Sequence, residues 1–158
     1  MTQEQKQQFT LRIAEANSTE LVVILYEMAL CYLDDAKQAG ESGAHESFDG
    51  AVSRVRGCVN ELLQSLNLEY EIAQSLHSLY FFCLRRLAYA QVRRQTQVLD
   101  EVTMVMSGLR DAYAQIAPQN TGGPVMKNTQ TVYAGLTYGR NSLTENMADQ
   151  STNRGMLV

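Results

Sequence analysis

Two histidines, three cysteines and a knot of arginines are the side chains with which this chain could do chemistry. His45 and His77 would have to anchor any di-iron or di-manganese centre, which takes Glu-x-x-His pairs on facing helices. Ser42 and Gln74 stand three residues before them, so the ligand spacing is missing. Cys31, Cys58 and Cys83 form no CxxC pair, which excludes a zinc ribbon or a thioredoxin-type dithiol. Each lies in an apolar segment and reads as a buried, reduced thiol acting as a small hydrophobe. No nucleophile-elbow motif accompanies the histidines. The chain therefore does not read as an enzyme, and no catalytic residue, metal or cofactor is expected.

Arg85, Arg86, Arg93 and Arg94 are spaced 1, 7 and 1 apart, which gathers them on one side of a helix. A nucleic-acid reading runs against the formal charge of −4, because neutralising phosphates needs a basic surface. Two readings stay open for the arginines: pairing with acids of neighbouring helices, or an acidic partner. The opening residues, MTQEQKQQF, contain no apolar signal core. The longest apolar run, Leu21–Tyr26, falls far short of the ~20 residues of a membrane helix. A cytoplasmic location without membrane insertion is the expectation.

What must position these residues is helical. With 158 residues, 45% apolar and 19% charged, the chain is sized for one globular domain with a core of its own. Both prolines lie after residue 117, so the first three quarters lack the strongest helix breaker. Asn17, Ser18 and Thr19 are candidate N-caps for a helix running to about Ala39, with Gly40 as its stop. A second helix carries Phe48, Val52, Val55, Val59, Leu62 and Leu66, spaced 4, 3, 4, 3 and 4. A third carries Ile72, Leu76, Leu79, Cys83, Leu87 and Ala90, and a fourth Val98, Val102, Val105, Leu109, Ala112 and Ile116. Four such helices with short connections predict an all-α, antiparallel up-down four-helix bundle. Phe9 and Ile13 mark a short extra N-terminal helix. The expected domains are residues 1–117, with an N-terminal lid over about 2–16, and a C-terminal extension over 118–158.

Some helices carry more apolar surface than a bundle uses. Leu21, Ile24, Leu25, Met28 and Tyr32 form one stripe of the first long helix, and its flanks are apolar as well. A core-facing helix needs about three positions in seven. Tyr80, Phe81 and Phe82 repeat the excess on the third, and Met104 and Met106 add adaptable side chains on the fourth. Either the N-terminal helix and the tail cover this surplus, or it forms a groove for an amphipathic helix of another protein.

The segment ANSTELVVILYEMALCYLDDA resembles the opening signature of the flagellar export chaperone family known as FliS. Ser18, Thr19, Glu20 and Leu21 stand for its cap, Leu25 and Tyr26 for its Leu-Tyr, and Ala29 and Leu30 for its small-aliphatic pair. VNELLQSLNLE, AQSLHSLYFFCLRRLAYA and VLDEVTMVMSGLRDAY resemble the family's later helices in order. Thr19 replaces the family's usual proline, and the chain has no tryptophan.

The resemblance implies a cytoplasmic chaperone that binds the C-terminal segment of flagellin and prevents premature polymerisation. It further implies help in delivery to the type III export gate, whose protein would be a second partner. The alternative is a helical adaptor or regulator using the same groove for a different amphipathic helix. On this reading Leu21, Leu25, Tyr26, Leu62, Leu66, Ile72, Leu76 and Tyr80 contribute to the flagellin groove, and Phe9 and Ile13 form a displaceable lid. The end of the chain, NMADQSTNRGMLV, is similar to the end of flagellin itself. Leu143, Met147, Met156 and Leu157 would then mimic the guest in the chaperone's own groove. A neighbouring molecule's groove and a free tail are the other two readings.

Overall fold

The computed structural model describes residues 1–126, and those residues hold five α-helices and no strand. The helices are α1 (Gln3–Glu15), α2 (Ser18–Glu41), α3 (His45–Gln64), α4 (Glu71–Arg93) and α5 (Val98–Ile116). One 3-10 turn, Ala117–Gln119, follows α5 around Pro118. The chain divides into two compact units. One joins Met1 to Thr19–Asn120; the other holds Thr2–Ser18 and, among the described residues, 121–126.

In the larger unit, contacts between helices run in opposite chain directions, as short connections require. Along α2 and α3, Gly40 lies against Phe48 while the Arg54 guanidinium sits 5.8 Å over the Tyr32 ring. Between α3 and α4, Arg94 donates to Asp49 (2.6 Å) and Arg56 to Gln91 (3.3 Å). Between α2 and α5, Lys37 meets Asp100 at 2.8 Å, whereas Tyr26 meets Tyr113. Arg86 of α4 donates to Glu101 of α5 at 2.6 Å.

The core follows the expected stripes with informative departures. Phe48, Val52, Val55, Val59 and Leu62 of α3 are all buried, while Leu66 lies past the helix end and is half-buried. On α4, Ala73 and Tyr80 take the interior places expected for Ile72 and Leu79. Ile72 falls in the first turn of its helix and stays outside. On α5 the buried set is Val98, Leu99, Val102 and Met106, and the apolar residues beyond Met106 are half-buried or exposed.

Gly40 does not stop α2. The helix continues to Glu41, and Gly43 takes the left-handed conformation at φ +71°. Ala44 N then donates to Ala39 O (2.9 Å) and Gly43 N to Gly40 O (3.2 Å), a Schellman termination. Gly40 instead permits close approach: a Cβ there would lie 2.2 Å from Thr96 Cγ2. Arg94 ends α4 the same way with a side chain, at φ 55°, and its guanidinium reaches back to Asp49 and over Phe48.

In the smaller unit Thr2 and Gln5 form a reciprocal capping box at the start of α1. Phe9, Thr10 and Ile13 are buried, Arg12 lies 5.6 Å over the Phe9 ring, and Val125 N donates to Ala16 O at 3.0 Å.

Candidate protein-binding surface

At one end of the bundle α2 begins, α3 hands over to α4, and α5 finishes. Asn120 Nδ2 donates to Thr19 Oγ1 at 2.9 Å, tying the end of the unit to the start of α2. Inside this end three phenols meet. The Tyr26 ring lies 6.5 Å from Tyr80 and 5.7 Å from Tyr113, tilted against both. The Tyr26 and Tyr80 hydroxyls share a hydrogen bond, so two buried polar atoms satisfy one another. Burial pushes the Tyr80 phenol up to about 12 and, with the bond to Tyr80, raises Tyr26 further. Both are protonated at neutral pH, and their part is to lock three helices together.

Outside, the same end displays apolar side chains. The turn joining α3 to α4 is well bonded: Glu69 N donates to Asn67 Oδ1 (3.1 Å), Tyr70 N to Asn67 O (3.2 Å) and Gln74 Nε2 to Leu68 O (3.3 Å). This Asx-type turn holds Leu68 and Tyr70 outward. Tyr70 is 65% exposed and Ile72, at the start of α4, 69% exposed. Ile116, one turn beyond Tyr113, is also exposed. Tyr70 occupies the N-cap of α4 and makes no side-chain capping bond. Ser, Thr, Asn and Asp are the residues that stabilise that position, by about 1 kcal/mol over an uncapped one. An exposed aromatic there gives up local stability, the kind of departure that marks a functional surface.

The expected groove residues converge on this end from three helices. Tyr26, Leu62, Leu76 and Tyr80 lie in its interior; Leu21, Leu25 and Leu66 are half-buried; Ile72 is exposed. Every large apolar residue of α2 is buried or half-buried. Leu68, Tyr70 and Ile116 were not singled out as surface residues by the sequence. For Leu68 and Tyr70 a signal was available: the six-residue connection carries three large apolar residues with Leu66, and it has no helix face on which to hide them all. Phe9 and Ile13 are buried in the smaller unit. Leu143, Met147, Met156 and Leu157 lie outside the described residues.

All three cysteines are free; Cys58 and Cys83 are buried, with burial raising each thiol to about 12. The His77 ring lies 4.7 Å from that of Phe81, tilted by 48°, and His45 is exposed. Among the described residues no three His, Cys, Asp or Glu side chains are grouped to hold a metal, and no helix is long and apolar enough to cross a membrane.

These features define a class: an all-α bundle that presents apolar side chains around one end. The chain belongs to the FliS family, since the family described as "Flagellar protein FliS" matches residues 1–120. It is 30% identical over 100 residues to the flagellar secretion chaperone FliS of Bacillus subtilis (strain 168), covering 63% of this chain and 75% of that protein. It is 30% identical over 110 residues to the flagellar secretion chaperone FliS of Salmonella typhimurium (strain LT2), covering 68% of this chain and 82% of the relative. The chain is thus a member of a family of flagellar secretion chaperones.

Proposed function

We propose that this protein is a cytoplasmic chaperone for the C-terminal segment of flagellin, holding it unassembled and bringing it to the export gate. The carrying observation is the display at the α3–α4 turn, where Leu68, Tyr70 and Ile72 are exposed, in a unit whose interior holds the bonded pair Tyr26 and Tyr80. A firm interior with exposed apolar side chains suits an unfolded segment that becomes helical as it docks, the helix-in-groove mode. Such coupled folding buries roughly 1,000–3,000 Å², and ordering the guest takes back about 2–5 kcal/mol. No bond is made or broken, so the activity requires neither catalytic residue nor cofactor.

The support is family membership together with this surface. In the same proposal Leu21, Leu25 and Leu66 extend the contact, and Tyr26, Leu62, Leu76 and Tyr80 shape it from below. Phe9 and Ile13 act as a lid whose apolar side chains the guest displaces. Residues 119–158 compete as a tethered mimic, on the sequence pattern alone. At ~mM effective concentration, a ~10 µM intrinsic affinity would weaken capture about a hundredfold, so removing residues 119–158 tightens guest binding.

The test is calorimetry of the full chain with a flagellin C-terminal peptide, followed by circular dichroism. The expected result is saturable binding with a negative heat-capacity change and a gain of helix. Equal binding of an unrelated amphipathic peptide would return the adaptor reading, and no binding would end the proposal.

A further inference from the structure

The outer side of the C-terminal half of α4 is chemically unlike the turn end. Phe81, Arg85, Tyr89, Val92 and Arg93 share one broad side of the helix. All five are exposed, Val92 at 81%. Of the four arginines, Arg86 is bound to Glu101 and Arg94 to Asp49, each at 2.6 Å. Arg85 and Arg93 have no carboxylate partner among the described residues, in a chain whose formal charge is −4. The Tyr89 ring lies 5.3 Å from the Arg86 guanidinium and 6.0 Å from that of Arg93. A guanidinium held against an aromatic face keeps its N–H edge available for a carboxylate. Met104 of α5, three residues past Glu101, adds another exposed apolar side chain.

We propose that this face of α4 docks an acidic amphipathic helix from a second partner protein, separately from the guest at the α3–α4 turn. Exposed Arg, Tyr and Phe side chains are the types that anchor protein interfaces. Phe81 and Val92 are about 16 Å apart along the helix and Arg85 and Arg93 about 12 Å, by the rise per residue. A partner helix of three turns spans the apolar pair, and carboxylates two turns apart on it meet the two free guanidiniums. Charge complementarity selects the occupant: the uncompensated cations here call for acidic side chains. A polyphosphate is disfavoured by Asp49 and Glu101 at the borders and by the chain's overall negative charge. Arg85 lies about 20 Å along α4 from Ile72, so both surfaces can be filled at once.

The probe is a 16-residue helical peptide (~24 Å), acetylated and amidated, with a leucine stripe flanked by two glutamates two turns apart. Its twin carries glutamine at both positions. Each is titrated into the uniformly ¹⁵N-labelled full chain. The glutamate peptide is expected to shift amide resonances of residues 81–93, and the twin to bind at least ~10-fold more weakly. Arg85→Glu with Arg93→Glu, and separately both→Gln, should abolish the difference between the peptides at an unchanged melting temperature. The proposal is overturned by equal binding of the two peptides, by shifts confined to residues 66–72, or by no shifts. It is also overturned if an oligothymidylate moves residues 81–93 and the glutamate peptide does not.

Discussion

The α3–α4 turn and the outer half of α4 are both exposed and both carry large side chains, yet they are built on opposite principles. At the turn, Leu68, Tyr70 and Ile72 are exposed with Glu69 and Glu71 beside them, while the interior of the bundle packs three phenols together. On α4, Phe81, Tyr89 and Val92 stand among arginines. One surface offers apolar area with acidic neighbours; the other offers oriented positive charge. The difference teaches that this bundle separates what holds it together from what it presents, and substitutions should sort accordingly.

The largest expected effect lies in the interior. Tyr26→Ala removes a fully buried ring from between Tyr80 and Tyr113 and should cost about 3–5 kcal/mol in urea unfolding. Ile72→Ala, at an exposed position, should change stability by less than about 0.5 kcal/mol. Equal costs would erase the distinction between base and display.

Gly40→Ala comes next. Its new Cβ meets Thr96 Cγ2 at 2.2 Å, and the overpacking should cost about 1–3 kcal/mol. In a Thr96→Ala background the same change should be neutral or stabilising by up to about 1 kcal/mol, because alanine is the better helix former. Thermal unfolding of the four proteins reads the coupling directly.

Alkali probes the interior more gently. Tyr80 is raised from 10.0 to about 12, and Cys58 and Cys83 from 9.0 to about 12. The unfolded chain loses these protons first, so stability is complete below pH 9 and falls as pH rises towards 12. Urea midpoints should decline over that window. At pH 8 a thiol reagent should modify half-buried Cys31 well before Cys58 or Cys83.

The smallest effect concerns the seam beside the α4 face. Arg94→Ala keeps the left-handed backbone without glycine's freedom and loses the exposed pair with Asp49, for about 1 kcal/mol. Arg94→Gly loses the same pair but relieves the backbone, and should come out near zero. The order of the two midpoints is the check.

Much of the architecture was legible because periodic apolar residues leave few choices. The α3 seam from Phe48 to Leu62 is buried as spaced, since both ends of that stretch lie inside the helix. The stripes failed at helix ends, at Ile72 in the first turn of α4 and at Ile116, the last residue of α5. They failed also where one side chain has a specific partner: Tyr80 takes the interior because Tyr26 supplies its hydrogen bond. The surplus apolar character of α2 was plain in sequence, but spacing cannot tell a doubly covered helix from an open one. The arginine knot split for a similar reason. Whether Arg86 or Arg85 finds a carboxylate depends on where Glu101 arrives, and that is set by how α5 packs.

The most direct measurement uses Tyr70→Ser combined with Ile72→Asp, titrated with the flagellin C-terminal peptide. Serine suits the N-cap and aspartate the first helical turn, so this variant should fold at least as stably as the parent. The account predicts an intact melting transition with guest affinity at least ~10-fold weaker, roughly the loss of two apolar anchors. Undiminished affinity in a folded variant would contradict it.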